Sequence, residues 1–140
     1  MKSKYLMVTI FVFAAMMTAT GQEIYRARTT SVTIREKIGN LEGDKWGQWG
    51  TPTVVNAMVV FDFDKETVTV SDNTTTNYYY ILSVVDYQEN KARKSVSLML
   101  NCMDVNRMSC KIQLTIEGDD DGYLYVEYMN VSFMYKMKHL

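Results

Sequence analysis

The stretch SVSLMLNCMDVNRMSCKIQLTIE, running from Ser95 to Glu117, alternates apolar and polar residues twice over. In its first half Val96, Leu98, Leu100 and Cys102 alternate with Ser95, Ser97, Met99 and Asn101. In its second half Cys110, Ile112, Leu114 and Ile116 alternate with Lys111, Gln113, Thr115 and Glu117. A period of two is that of a strand with one face buried, so the stretch reads as two neighbouring strands of an antiparallel hairpin. Both cysteines fall on its apolar face, one closing the first strand and one opening the second.

The same period extends in both directions. Upstream, Ile24 to Ile38 reads as an extended segment, with Val32, Ile34 and Ile38 on one face and Thr29, Ser31, Thr33, Arg35 and Lys37 on the other. Thr53 to Phe63 sets Val55, Ala57, Val59, Phe61 and Phe63 against a half-apolar second face that includes Met58. Thr67 to Ser71 and Tyr78 to Tyr87 follow, the latter with Tyr78, Tyr80, Leu82 and Val84 opposed to Tyr79, Ile81, Ser83 and Val85. Downstream, Gly118 and Gly122 bracket an acidic turn as residues free to take positive φ. The strands Tyr123 to Tyr128 and Val131 to Lys138 complete the chain. About eight strands at short, regular spacing predict an all-β, single antiparallel meander domain, either a barrel of lipocalin-like form or a sandwich.

The amino terminus follows a different rule. Lys2 and Lys4 precede an apolar run from Tyr5 to Met17, and Thr18, Ala19, Thr20 and Gly21 are small. That order is a secretory signal peptide over residues 1–21, with cleavage near Gly21 and Gln22 and a single β domain over 22–140. The run is shorter than the roughly 20 residues a membrane span needs, so the mature chain carries no stable membrane span. The expected compartment is periplasmic or extracellular. Losing Lys2 and Lys4 from 15 basic residues, against 16 acidic ones, moves the formal charge from −1 to −3. A mildly acidic chain with no basic cluster lacks the footprint of a nucleic-acid binder. In an oxidising compartment an even pair of cysteines is a disulfide candidate, and a Cys102 to Cys110 bridge is expected to clip the hairpin.

Chemistry-bearing constellations are scarce. His139, the sole histidine, stands next to the last residue, a poor place for a catalytic base or a zinc ligand. Asp119, Asp120 and Asp121 lack the alternating ligand spacing of a calcium loop. No catalytic residue, metal site or cofactor is therefore assigned. The binding candidates are aromatic. Trp46 and Trp49, on a glycine-rich loop from Gly39 to Pro52, can stack on a flat ligand or fold back over an open end of the domain. Tyr78 and Tyr80 share a strand face and are candidates for the same ligand.

The ending Thr20-Gly21-Gln22, the strand entry Trp49-Gly50-Thr51-Pro52, the Val59 to Phe63 strand with its acidic turn and the late strands from Tyr125 to Tyr135 together resemble a group of small, uncharacterised exported β proteins of Bacteroidetes bacteria. The resemblance implies an exported or periplasmic β domain and supplies no activity. The leading expectation is a noncatalytic domain that binds a small apolar or aromatic ligand in its interior or at its tryptophan loop, with adaptable methionines such as Met58 in the pocket. The alternatives are a protein-interaction or structural component of the envelope, meeting an envelope or host protein, and an eight-stranded outer-membrane barrel.

Overall fold

Alternation becomes register once neighbouring strands hydrogen-bond. The computed structural model describes residues 24–38, 45–118 and 121–139, so the expected signal peptide and cleavage site lie outside the described residues. The strands are β1 (Ile24–Ile38), β2 (Lys45–Trp46), β3 (Thr53–Val54), β4 (Met58–Asp62), β5 (Thr67–Ser71), β6 (Thr76–Asn90), β7 (Ser95–Asp104), β8 (Ser109–Glu117), β9 (Asp121–Glu127) and β10 (Val131–His139). From β4 to β10 each strand pairs with the next, and β1 pairs with β4 on one side and β10 on the other. Those eight strands close an antiparallel up-and-down barrel, which removes the free edges a sandwich would keep. The short β2 and β3 lie outside the ring against β1.

The inward faces fill the barrel. Phe61, Leu98, Leu100, Ile112, Leu114 and Leu124 are each at most 1% exposed and belong to one apolar cluster. Burying a side chain of this size contributes about 1.5–3 kcal/mol. An eight-stranded ring is just wide enough for side chains to fill, and these leave no ligand-sized space among them. The outer wall carries Arg26, Arg28, Lys111, Gln113, Lys136 and Lys138. An outer-membrane barrel has the opposite arrangement, apolar outside and polar within. Met58, expected in a pocket, sits on the outer wall opposite Arg28.

Bulges displace the simple alternation at three places. In β1 the register shifts between Thr29 and Ser31, making Thr30 the extra residue and turning Thr29 inward, 2% exposed, where its hydroxyl donates to Val55 O at 2.7 Å. In β6 it shifts between Ile81 and Ser83 and again between Val84 and Asp86. Leu82 and Val85 are therefore pushed to the surface, while Tyr79, Ile81, Val84 and Tyr87 pair with inward residues of β7 or its end. Each extra residue bends its strand and sharpens its twist, which a 15-residue strand needs in order to follow a small barrel. The two glycines of the acidic turn also part company. Gly118 takes φ +65° as expected, whereas Gly122 is a buried residue of β9 whose missing Cβ leaves room beside Thr115 O and the Met137 methyl. Asp119 and Asp120 lie outside the described residues.

The expected disulfide is corrected. Cys102 and Cys110 are direct partners in the β7–β8 register, as the alternation required, but both are free thiols. Burial among apolar side chains raises both thiol pKa values, Cys110 to about 11. The thiolate needed for oxidation or exchange is correspondingly suppressed.

The β5–β6 turn supplies one titratable element. Asp72 Oδ1 accepts from Thr74 N and Thr75 N, both at 2.8 Å, and these backbone hydrogen bonds hold its carboxyl down at about 2. A depressed folded-state pKa contributes stability that is full above the unfolded value of about 3.9 and disappears as pH falls through the folded value. Asp72→Asn is expected to flatten the fall in melting temperature between about pH 4 and pH 2. Parallel melting curves for the two proteins across that window would contradict this.

Candidate functional site

The glycine-rich segment from Gly39 to Pro52 was expected as a loop whose tryptophans either stack on a flat ligand or fold back over an open end of the domain. Its described part, residues 45–52, runs as a strap against β1. Gly47 N donates to Glu36 O at 2.7 Å, Gly50 N to Ile34 O at 2.9 Å, and Thr33 Oγ1 to Gly50 O at 2.9 Å. Glycine allows this approach, because a Cβ on Gly47 would stand 3.0 Å from Glu36 O. The strap thereby sets both indole rings against the outward side chains of β1.

Between the rings lies Arg35. Its Cζ is 4.7 Å from the Trp46 ring centroid and 4.4 Å from that of Trp49, and its Nη2 is 3.7 Å from Glu127 Oε1. Trp49 also packs against Tyr125, which stacks on Tyr123. Lys37 Nζ stands 5.2 Å from the Trp46 centroid. A cation over an aromatic face is held by the ring quadrupole, so the rings serve chiefly as a clamp on the chain's own arginine. Arg35 Nε and Oγ of Ser132, its partner in the β1–β10 register, are buried without a hydrogen-bond partner.

Arg35 begins a row that crosses the outer wall. The register places Arg35 opposite Ser132, Ser132 opposite Glu127, Glu127 opposite Lys111, Lys111 opposite Asn101 and Asn101 opposite Ser83. Over the part of this row from Glu127 to Ser83 lies an open groove of about 550 Å³. Trp46 and Lys37 form one end of it, the bulged Leu82 the other, and Tyr128 and Met129 border it from the β9–β10 turn. Its polar floor is ordered: Asn101 Nδ2 donates to Ser83 Oγ at 3.2 Å. Tyr128 OH donates to Asp104 Oδ2 at 2.9 Å, and Asp104 also accepts from Asn106 N and Met108 N, so the β7–β8 turn is fastened beside the groove. Those bonds lower the Asp104 pKa, the backbone bond from Met108 most, while burial and the Asp104 bond raise that of Tyr128.

Of the aromatic candidates, only Trp46 borders the groove. Trp49 is taken up by Arg35 and Tyr125. Tyr78 and Tyr80 face outward on β6, exposed, opposite Thr69 and Thr67, so the four residues do not converge. Sequence reasoning missed Lys111, Asn101, Ser83 and Glu127 because each is an ordinary outward residue of its own strand. Only the register aligns them. Among the described residues no three His, Cys, Asp or Glu side chains are placed to hold a metal ion, and the His139 side chain lies outside the described residues.

The site and fold define a class: a closed, eight-stranded antiparallel barrel with a packed lumen and a groove on its outer wall. The chain matches no protein-family model, and no curated protein or solved structure is significantly similar to it.

Proposed function

We propose that the protein is a noncatalytic binding domain, exported by the signal peptide at residues 1–21, that takes a small ligand with an apolar or aromatic body in the groove beside Trp46. The observation that carries this reading is the contrast between a lumen closed by side chains at most 1% exposed and an open groove of about 550 Å³ on the wall. That volume falls in the range of about 300–1,000 Å³ typical of small-molecule sites. Its lining also has the expected mixture, with apolar Leu82, Met129 and Trp46 around the fixed polar groups of Ser83 and Asn101. The exported setting rests on the sequence pattern and on the resemblance to exported Bacteroidetes proteins.

Titration with a panel of neutral and anionic aromatic and aliphatic probes tests this. At least one probe is expected to bind one-to-one and quench Trp46. Leu82→Glu, at a surface position 49% exposed, is expected to weaken that probe by about tenfold or more, by putting a charge where its apolar body lies. Absence of binding across the panel, or binding indifferent to Leu82→Glu, contradicts the reading.

A further inference from the structure

The charges around the groove are unbalanced. Lys37 and Lys111 both line it, and Glu127 is the one carboxylate among its lining residues. Glu127 faces Lys111 across the β8–β9 ladder, yet the ion pair it forms is with Arg35, at 3.7 Å. Among the described residues neither lysine forms an ion pair, and Lys37 Nζ rests over the Trp46 ring. Two ammonium groups thus border a recess whose only carboxylate is already engaged by a third cation. The apolar surfaces of Trp46, Leu82 and Met129 share that recess.

We infer that the groove selects a small organic anion, with its apolar or aromatic body against Trp46, Leu82 and Met129 and its carboxylate or sulfonate group beside Lys37 and Lys111. The inference rests on the binding reading above and adds the ligand's charge to it. An anionic group answers both ammoniums beside the Asn101 amide, whereas a cation would meet the unpaired Lys37 and Lys111 ammoniums along the groove. The volume suits a free molecule of about drug size.

Two fluorescent probes with one shared body separate the charge from the groove: 8-anilino-1-naphthalenesulfonate and its neutral analogue N-phenyl-1-naphthylamine. The sulfonate is expected to bind about tenfold tighter at low salt, the scale of two partly exposed ion pairs. The advantage is expected to shrink to about twofold or less in Lys37→Met/Lys111→Met. It should shrink likewise on going from about 0.01 M to about 1 M salt, as the screening length falls from about 30 Å to about 3 Å. A control pair at the far end of the barrel, Lys91→Met/Lys94→Met, makes the same change in net charge and is expected to keep the preference. Equal affinity for the two probes, or equal loss of preference in both lysine pairs, overturns the anion inference and leaves the groove standing. Failure of both probes to bind, with the rest of the panel also silent, overturns the groove itself and the inference with it.

Discussion

Phe61→Ala is expected to cost the barrel about 3–5 kcal/mol of unfolding free energy, read by denaturant unfolding. Phe61 is fully buried on β4, makes an edge contact with Tyr25 at 6.2 Å and lies 5.9 Å from Phe63. Val59, Val68 and Leu98 belong to the same apolar cluster, and β4 is held in register by β1 and β5 on its two sides. A ring of strands cannot collapse inward without breaking ladder hydrogen bonds, so the truncation leaves a cavity and loses both the transfer and packing contributions. The size of the loss also reports on the lumen. Were there already ligand-sized space inside, neighbouring side chains could relax into it and the cost would fall below about 2 kcal/mol. That result would return the binding site to the barrel interior.

Arg35→Ala is expected to destabilise the protein by about 2 kcal/mol and to shift tryptophan emission to the red. Two aromatic faces within 4.7 Å of Cζ make this the strongest cation clamp in the described structure, and its side chain is 25% exposed. Cation–π contacts range from about 0.5 kcal/mol at exposed sites to about 2 when desolvated, so partial exposure places the pair near the middle of the summed range. The strap retains its backbone bonds from Gly47 and Gly50, but both indoles lose the group that fills the space between them. Arg35→Lys keeps the charge without the planar guanidinium and is expected to recover less than half the loss. A change below about 0.5 kcal/mol in Arg35→Ala, with emission unmoved, contradicts the clamp.

These two residues also show how far the fold was legible in the sequence. Phe61 was placed inward because alternation along a single strand suffices to orient it, and the same holds for Leu98 and Leu114. Barrel and sandwich were indistinguishable at that level, because closure depends on β1 pairing with β10 across about a hundred residues. Single-strand periodicity contains no such term. Bulges were the second blind point. Thr30, Leu82 and Val85 resemble their neighbours, and what expels them is the coiling demanded by the ring. Arg35 illustrates the third. It was read correctly as outward, but outward was equated with solvated, whereas the Trp46–Trp49 strap covers it. The glycines at 47 and 50 read only as loop residues, and the close backbone approach that Gly47 allows appears with the structure. The groove was hidden for the same reason: Ser83, Asn101, Lys111 and Glu127 share a row only after four strands are registered.

The most direct test of a wall-borne site beneath a closed lumen is a nuclear magnetic resonance titration of the labelled protein with the tightest probe of the panel. The expected perturbations fall on the Trp46 indole N–H and on the backbone amides of Ser83, Asn101, Lys111 and Met129, while the methyl groups of Leu98, Leu114 and Leu124 hold their positions. Perturbation centred on those lumen methyls, with the Trp46 and Lys111 signals unchanged, would contradict the account.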